Sequence, residues 1–381
     1  MQKLIRITTV PSSLRTLLKG QHRFMNAHYE VIGVSSDGDA LREVRDNEGI
    51  ETHGIEMTRT ITPFKDLKAT YLLYKFFKTQ KPFIVHTHTP KAGTVGMLAA
   101  KLAGVPHRLH TIAGLPLLEA TGAKRKLLDT VEKFTYACAT QILPNSFGLE
   151  TIILDQNYTK ASKLKVIGKG SSNGINTKHY DATLVSSSQK QNLKDALGIT
   201  EKDLVFIFIG RMVKDKGINE LVEAFHKISK ANSNTKLILV GPRENHLDPL
   251  LPKTEALIQG NKQILAVGLQ KDIRPYVAIS HVLTFPSYRE GFPNVVLQAS
   301  CMELPCIVSN INGCNEIIEN YKNGLIVPVK NVKALENAIQ FMINEPQKRT
   351  AMIMHTRSRI IERYQQEYVW NELLKMYKSL K

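Results

Sequence analysis

Short hydrophobic runs alternate along the chain with longer segments in which apolar and polar positions are mixed. In the first half these runs cover residues 3–10, 29–36, 82–89, 107–114, 140–146 and 163–170. In the second half they cover residues 204–212, 236–242, 263–269, 281–287, 305–310 and 324–329. Runs rich in Val and Ile, separated by helix-length segments, are typical of buried parallel strands joined by helical crossovers. The pattern therefore predicts an α/β protein with two doubly wound, Rossmann-like domains.

A polar, serine-rich segment with an Asn-Gly turn signal separates the two series of runs. We predict an N-terminal domain over residues 1–175, a linker over 176–192 and a C-terminal domain over 193–356. The tail, residues 357–381, holds the single tryptophan among spaced tyrosines and leucines. It predicts an amphipathic helix or helix pair that packs back toward the N-terminal domain.

Composition indicates a globular protein, with 43% hydrophobic and 22% charged residues in a chain of 381. No apolar window is long enough to span a membrane, and the first residues lack the pattern of a signal peptide. The four cysteines form no C-x-x-C pair, which favours reduced thiols over a zinc site or a disulfide framework. We therefore expect a cytoplasmic protein.

The net charge of +17 suggests an anionic partner. Nucleic acid, an anionic membrane surface and anionic small substrates all fit this charge. Zinc-finger spacing, an RNP-type aromatic strand and a dense basic tail are absent from the sequence, so nucleic acid has the weakest support. An NAD enzyme is disfavoured because no G-x-G-x-x-G follows any predicted strand.

The segment GRMVKDKG, residues 210–217, directly follows a predicted strand and precedes a predicted helix. Arg211 and Lys216 would then stand together beside a helix N-terminus, which already carries partial positive charge. A bound anion would offset this repulsion, and a guanidinium with an ammonium suits a phosphate. The alternative is a solvated basic turn.

The segment SYREGFPNVVLQAS, residues 287–300, carries a carboxylate, Glu290, in a turn before a predicted helix. Pro293 suits the first helical position, which would leave the backbone N–H groups of Asn294 and Val295 facing an anion. Gln298 would lie about one and a half turns into the helix. The alternative is that Glu290 only complements the helix dipole and Gln298 is a solvated helix residue.

These two segments, with GCNE at residues 313–316, resemble retaining glycosyltransferases of the GT-B fold, family 4. The likeness is specific over residues 210–328. It is looser in the first half, where PFIVHTHTPKAG and HRLHTIAGLP carry it, and SSNGI at residues 171–175 resembles the family's interdomain hinge. The resemblance implies two Rossmann-like domains facing across a cleft that holds a nucleotide sugar.

The resemblance implies catalytic roles for three residues. Arg211 and Lys216 would hold the donor diphosphate, and Glu290 would contact the hydroxyls of the donor sugar. Gln298 replaces the acid that binds ribose in the family, and an amide can still bind a diol. Gly268 falls where the family contacts the base through its backbone. The donor-binding set is Gly210, Arg211, Lys216, Gly268, Glu290, Gly291, Phe292, Asn294, Val295 and Gln298, and the scheme needs no metal or cofactor.

The acceptor side departs from the family at one position. Many members place a histidine just before the glycine of the HTIAGLP segment, where this chain has Ala113. The candidate acceptor or sugar contacts are therefore His88, Lys91, His110, Ser12 and Ser13. A metal site for the H-x-H pair at His86 and His88, purely structural histidines, and helix capping by the two serines are alternatives.

A basic, aromatic segment at residues 63–82 is predicted as a crossover helix with its apolar side on the sheet. Its lysines are either solvated or in contact with an anionic bilayer, where each basic residue contributes about 1 kcal/mol. Peripheral association with the inner face of the plasma membrane is therefore an open alternative to a protein free in the cytoplasm.

The resemblance implies a hexosyl- or N-acetylhexosaminyltransferase. The donor would be a nucleotide sugar, a UDP-sugar by preference. The acceptor would be a growing glycan or a polyprenyl-diphosphate-linked glycan of a bacterial surface polysaccharide such as capsule or lipopolysaccharide. A sugar-nucleotide 2-epimerase of the same fold is the first alternative, and a basic nucleic-acid-binding protein is the second.

Overall fold

Two parallel β-sheets organise the computed structural model, which describes residues 1–244 and 248–381. One sheet lies in a unit made of Met1–Gly174 and Gln366–Lys381, and the other lies in a unit made of Ile175–Gln365. Each unit is an α/β domain, so the predicted fold class is confirmed.

In the first unit six parallel strands are present, in the order β3-β2-β1-β4-β5-β6. They are β1 Lys3–Ile7, β2 Glu30–Ser35, β3 Glu51–Gly54, β4 Ile84–Thr87, β5 His107–Ile112 and β6 Gln141–Pro144. Five of the predicted runs are confirmed. The run at 163–170 is wrong, since only Leu164 bridges to the sheet, at Ile142. The sequence pattern missed β3 because this edge strand is polar and mostly exposed.

The second unit has the same strand order, β12-β11-β10-β7-β8-β9, among the residues that the structure describes. The strands are β7 Leu204–Ile209, β8 Thr235–Val240, β9 Ile264–Gly268, β10 Val282–Phe285, β11 Cys306–Ser309 and β12 Gly324–Val327. All six predicted runs are confirmed. Five of the six positions of β7 are buried, because helices cover both faces of a parallel sheet and hydrophobic runs then lose their alternation.

Helices connect the strands in both units. In the first unit they are α1 Pro11–Leu17, α2 Gln21–Asn26, α3 Asp39–Glu48, α4 Pro63–Gln80, α5 Pro90–Ala103, α6 Gly122–Cys138 and α7 Phe147–Asp155. In the second unit they are α8 Ser187–Leu197, α9 Ile218–Ala231, α10 Pro252–Gly260, α11 Arg274–Ala278, α12 Asn294–Cys301, α13 Cys314–Ile317, α14 Val332–Asn344, α15 Pro346–Ile353 and α16 Thr356–Tyr364. The last helix, α17 Gln366–Lys378, belongs to the first unit.

Short 3₁₀-helices occur at Pro116–Glu119, Ala161–Lys163, Ala182–Leu184 and Lys214–Lys216. Across the described ranges, the helices are all too short or too polar to cross a membrane.

The predicted linker, residues 176–192, is part of the second unit and contains the start of α8. Arg357 of α16 fixes this segment. Its guanidinium donates to the carbonyl oxygens of Thr177 at 3.0 Å and Tyr180 at 2.8 Å, and it pairs with the Asp181 carboxylate at 2.7 Å. Residues 357–365 therefore lie with the second unit, whereas the predicted tail segment counted them with α17.

Helix α17 packs on α2 within the first unit. The indole N–H of Trp370 donates to Asn173 Oδ1 at 2.7 Å, and the Tyr377 hydroxyl hydrogen-bonds His86 Nδ1 in the buried interior. The tail is thus a helix pair, one of the two forms that its pattern predicted, with its halves in different units.

Candidate active site

The strand order reverses between β7 and β10 in the second unit, and the loops that follow these neighbouring strands touch. Gly217 has φ +71°, and a Cβ atom there would lie 2.1 Å from the carbonyl oxygen of Pro286. Only glycine permits this approach. In open α/β sheets, ligands bind beside the carboxyl ends of the strands at such a reversal point.

Lys216 and Glu290 meet at this reversal point. Lys216 Nζ forms a salt bridge with Glu290 Oε1, and each side chain is only 15% exposed. Lys216 Nζ also lies 5.7 Å from the centre of the Phe285 ring at the end of β10. The two strand-end loops thus place a cation and a carboxylate in direct contact in a partly buried setting.

Arg211 follows the same strand as Lys216 but binds a different carboxylate. Its guanidinium pairs with Glu244 Oε2 at 2.6 Å, and its side chain is 44% exposed. Glu244 follows β8, on the other side of β7 from β10. The preceding residue, Gly210, donates its N–H to the carbonyl oxygen of Val240 at 2.9 Å, which holds the loop against β8.

Helix α12 begins one residue later than predicted, because Pro293 has extended backbone angles and is the N-cap residue. The first backbone bond of the helix runs from the Val296 N–H to the Pro293 carbonyl at 3.1 Å. The amide groups of Asn294 and Val295 come before that bond and point out of the helix N-terminus. Phe292 is buried beside the Tyr364 ring.

A side chain that the sequence motifs do not include fixes the loop before this helix. Asn312 Nδ2 donates to the carbonyl oxygens of Glu290 and Gly291. Asn312 immediately precedes Gly313, and this Asn-Gly turn signal next to the GCNE motif could have identified it.

Gln298 lies on α12 and donates through Nε2 to the Tyr180 hydroxyl at 2.8 Å. Burial is the main cause that raises the pKa of Tyr180 above its usual value, so the hydroxyl stays protonated. The side chain of Gln298 is therefore oriented by a residue of the segment that was predicted to be a linker.

Gly268 ends β9 with φ +70°, and its carbonyl oxygen accepts a hydrogen bond from the Gly241 N–H at 2.9 Å. Among the described residues, no atom lies within 4 Å of where a Cβ would stand at this position. The backbone here is open on one side, beside the ends of β8 and β9.

In the first unit, the strand order reverses between β1 and β4, and the predicted acceptor residues lie near this point. Ser12 and Ser13 are inside the first turn of α1, whose N-cap is Val10, so the alternative that one of these serines caps the helix is wrong. Lys91, in the first turn of α5, pairs with Asp66 of α4, and its side chain is only 10% exposed.

The histidines of the H-x-H pair and of the HTIAGLP segment, His86, His88 and His110, have different surroundings. His110 is buried against α5, where a Cβ at Gly93 would lie 2.3 Å from its ring, and its Nδ1 hydrogen-bonds Thr87 Oγ1 at 2.7 Å. Both nitrogen atoms of His86 are used, one by Tyr377 and the other by Thr111 Oγ1 at 2.7 Å. His86 therefore has no free nitrogen atom for a metal, and within the described ranges no His, Cys, Asp and Glu side chains cluster as a metal site.

His88 follows the end of β4 and lines a small cavity of about 20 Å³ together with Asn145, Ser171 and Ser172. Both ring nitrogen atoms of His88 and the Oδ1 atom of Asn145 are buried and lack a hydrogen-bond partner among the described residues. Burial first, and then the neighbouring His86 and Arg6, hold the pKa of His88 well below 6.5. His88 is thus a neutral ring with an unused donor and an unused acceptor.

Sequence reasoning missed Glu244, Asn312, Tyr180 and Asn145. Apart from the Asn-Gly signal at Asn312, we find no local pattern that would have singled them out. Glu244 binds Arg211, and Tyr180 binds Gln298; each pair is distant in sequence.

Two family models match the chain. The model described as glycosyl transferases group 1 covers residues 189–359, and the model described as glycosyl transferase 4-like covers residues 13–146. The first match contains every predicted donor-binding residue, and the second contains His88, Lys91 and His110.

Curated relatives agree with these models. The chain is 33% identical to the capsular polysaccharide biosynthesis glycosyltransferase CapM of Staphylococcus aureus over 99% of this chain and 97% of that protein. It is 31% identical to an Escherichia coli UDP-Gal:α-D-GlcNAc-diphosphoundecaprenol α-1,3-galactosyltransferase over 74% of this chain and 72% of that protein. These relatives are transferases, so the 2-epimerase alternative is not favoured.

Among solved structures, Anabaena HepE in complex with UDP and glucose superposes with a TM-score of 0.82 at 17% identity, covering 100% of each chain. At this identity, the likeness shows the fold alone. The chain is a glycosyltransferase and belongs to family 4, the glycosyl transferases group 1, which has the GT-B fold.

Proposed function

We propose that the chain is a retaining transferase that moves a sugar from a UDP-sugar to a lipid-linked or growing glycan during the synthesis of a bacterial surface polysaccharide. We assign the donor to the second unit and the acceptor to the first unit. The observation that carries this proposal is the ion pair of Lys216 and Glu290 at the strand reversal point beside the N-terminus of α12.

The donor diphosphate would bind where three kinds of positive group are close in the fold. Lys216 and Arg211 follow β7, and the first amides of α12 follow β10, the neighbouring strand. A phosphate would replace the carboxylates that now bind the two cations, Glu290 and Glu244. Charge-assisted bonds of this kind contribute about 1.5–3 kcal/mol each.

Three further residues would hold the rest of the donor. Glu290, once released from Lys216, would accept hydrogen bonds from hydroxyl groups of the sugar. Gln298, oriented by Tyr180, would bind the ribose diol with an amide in place of a carboxylate. The open backbone at Gly268 would contact the base.

The chemistry would depend on stabilising the leaving group. When the bond between the anomeric carbon and the diphosphate oxygen breaks, negative charge develops on the diphosphate and positive charge on the sugar. Lys216, Arg211 and the N-terminus of α12 would stabilise the first charge, and Glu290 would stabilise the second. Preorganised charges in a partly buried site lower the barrier without reorganisation at the moment of reaction.

On the acceptor side, we propose that His88 contacts a hydroxyl group of a bound sugar and that His110 is structural. The ring nitrogen atoms of His88, at the carboxyl edge of the sheet, have no hydrogen-bond partner in the part of the chain that the structure describes, whereas His110 is packed under α5. Ser12 and Ser13 lie at the same edge, after β1. Lys91 is engaged by Asp66 and would act on the acceptor only if that pair opened.

We also propose that the acceptor is attached to a polyprenyl diphosphate and that the enzyme works at a membrane surface. Support comes from relatives whose names specify diphospho-undecaprenol acceptors. A protein that acts on such a lipid must reach the headgroup region, which agrees with the chain's net charge of +17.

A thermal-shift screen of nucleotide sugars tests the proposal on the parent, Arg211→Ala and Glu290→Ala proteins. We expect UDP-sugars to stabilise the parent, and we expect Arg211→Ala to lose this stabilisation. Lys214→Ala, a change to an exposed lysine in the same loop, is the matched control. Equal stabilisation of parent and Arg211→Ala by UDP-sugars would contradict the donor site.

A further inference from the structure

Helix α4 carries large hydrophobic side chains on its outer face. Phe64, Leu67 and Tyr71, with Ile61 just before the helix, are between 53% and 90% exposed. Phe64, Leu67 and Tyr71 are spaced by three and four residues, so they lie on one face. The opposite face, with Ala69, Leu73 and Phe77, already packs into the core. The outer apolar side chains are therefore not needed to hold the helix on the sheet.

Lysines are interleaved with these apolar side chains. Lys68, Lys75 and Lys78 continue the row of Phe64 and Tyr71 at helical spacing, and Lys65 flanks it. The Lys75 ammonium lies 4.8 Å from the centre of the Tyr71 ring, a cation–π contact that places a positive charge directly against an apolar side chain of the same face. We call this surface the α4 face: Ile61, Phe64, Leu67 and Tyr71 with Lys65, Lys68, Lys75 and Lys78.

The only acidic side chain of α4 is turned away from this surface. Asp66 accepts hydrogen bonds from Thr62 and pairs with Lys91 of α5, and its side chain is 23% exposed. The α4 face is thus basic and apolar without a neutralising carboxylate of its own helix.

The apolar end of the α4 face lies on the same edge of the first unit as the proposed acceptor residues. Helices α4 and α5 both begin after the carboxyl ends of parallel strands, and the Asp66–Lys91 pair ties their first turns together. His88 lies three residues before Lys91 on the same strand-to-helix connection. Anything bound to the apolar end of the α4 face would therefore lie next to the residues that we assign to the acceptor.

We propose that the α4 face docks on an anionic lipid surface. Ile61, Phe64, Leu67 and Tyr71 enter the boundary between headgroups and acyl chains, and the lysines contact lipid phosphates. Mixed apolar and basic surface on one helix face is what interfacial membrane binding requires. This inference rests on the proposed lipid-linked acceptor for its biological purpose, but the binding itself does not depend on the transfer reaction.

Sedimentation with lipid vesicles tests the proposal. The parent is mixed with vesicles of phosphatidylcholine containing phosphatidylglycerol, and with vesicles of phosphatidylcholine alone. We expect binding to the anionic vesicles that weakens at high salt. Changing Lys68, Lys75 and Lys78 to Gln should weaken it about 100-fold, since each lysine contributes about 5-fold. Phe64→Ser with Leu67→Ser should weaken it at least about 10-fold.

The matched control is Lys101→Gln with Leu102→Ser at the other end of α5. Leu102 is also exposed, but it lies at the opposite edge of the same unit. The control should bind vesicles as the parent does. Absence of parent binding to anionic vesicles, or equal binding by parent and α4-face variants, would overturn the proposal. A parent that self-associates in sedimentation velocity while the variants are monomeric would also overturn it, in favour of a contact between copies.

The thermal shift with UDP distinguishes a failure of membrane docking from a failure of the proposed donor site. The α4-face variants should keep the full thermal shift with UDP, because they change only the first unit. A parent protein that shows the UDP shift and transfer but does not bind anionic vesicles would reject the membrane surface alone. Intact vesicle binding without a UDP shift would reject the proposed function alone.

Discussion

Lys216 and Glu290 pair across the loops that follow two neighbouring strands, β7 and β10, at the point where the strand order of the second sheet reverses. In the proposed reaction these groups act on different parts of the donor. Binding of the donor would therefore separate them, with the ammonium on the diphosphate and the carboxylate on the sugar. In the ion pair each group neutralises the other, so neither charge is left unpaired in a partly buried position.

Replacing Lys216 should weaken nucleotide binding. Lys216→Ala removes a charge-assisted bond to the diphosphate, so we expect the Kd for UDP to rise about 10- to 100-fold. Isothermal titration calorimetry measures this. Lys214→Ala, which changes an exposed lysine of the same 3₁₀-turn, should leave the Kd within about 2-fold of the parent. A Lys216→Ala protein that folds and binds UDP with the parent's Kd would rule out this role.

Replacing Glu290 should affect the sugar more than the nucleotide. Glu290→Gln removes the negative charge and releases Lys216, so UDP should bind at least as tightly as it does to the parent. Transfer should fall about 100- to 1,000-fold, because the variant loses charge stabilisation in the transition state. The comparison of UDP affinity with the turnover of UDP-sugar measures both effects. A parallel loss of UDP affinity and turnover would show that Glu290 supports the loop rather than the sugar.

The neutral side chain at position 298 can be tested by restoring the acid of the family. Gln298→Glu should tighten UDP binding several-fold, since a carboxylate accepts stronger hydrogen bonds from a ribose diol than an amide does. Tyr180→Phe, which removes the partner of Gln298, should weaken UDP binding modestly. Isothermal titration calorimetry measures these affinities, and 2′-deoxy-UDP, which lacks one ribose hydroxyl, is the control ligand. If the gain in Gln298→Glu is the same for UDP and its 2′-deoxy analogue, the ribose role fails.

His110 should make stability depend on pH. Burial lowers the pKa of His110 from 6.5 to about 4, so the unfolded chain binds this proton more readily than the folded chain. The free energy of unfolding should therefore be unaffected above pH 6.5 and fall as the pH decreases from 6.5 toward 4. This single group accounts for about 2 kcal/mol of the loss at pH 5.

Urea denaturation of the parent and His110→Gln between pH 7 and 5 measures this loss. The variant should show a smaller decrease of the unfolding free energy with falling pH, whatever its stability at pH 7. Leu102→Ser, an exposed change without a titrating group, should keep the parent's slope. Identical slopes for parent and His110→Gln would show that this histidine does not carry the effect.

His88 should act on transfer and not on the nucleotide. His88→Gln should lower kcat about 10- to 100-fold with the Kd for UDP unchanged, because the loss of a buried hydrogen bond costs about 1–3 kcal/mol. His110→Gln provides the comparison, because its ring is packed under α5. A larger loss of kcat in His110→Gln than in His88→Gln would reverse the assignment of the two histidines.

The strands of the second unit could be predicted because each lies in an apolar run, and all of them except the edge strand β9 are mostly buried. In the first unit, two segments do not follow this rule. Strand β3, with the sequence ETHG, pairs at an exposed edge and needs no apolar residues, so its sequence carries no strand signal. Residues 163–170 have spaced apolar side chains but form only one bridge to the sheet, from Leu164 to Ile142. Leu164 and Ile167 are buried by side-chain packing and not by pairing within the sheet.

The positions of the candidate site residues could be predicted from sequence, but their partners could not. The motifs located Lys216, Glu290 and Gln298 because their place at strand ends and on a helix follows from local sequence. They could not specify that Glu290 pairs with Lys216 while Arg211 pairs with Glu244, since those choices depend on the order of β8, β7 and β10 in the sheet. The spacing of His86 and His88 could place both on one face of the sheet, where their ring centres lie 4.0 Å apart, but it could not give their burial.

A crystal structure of the parent with UDP-glucose would show whether the donor binds at the loops after β7 and β10. We expect a separated Lys216–Glu290 pair, with Lys216 Nζ within hydrogen-bonding distance of a diphosphate oxygen and Glu290 against the sugar. A nucleotide bound away from the loops after β7 and β10, with the ion pair still closed, would contradict it.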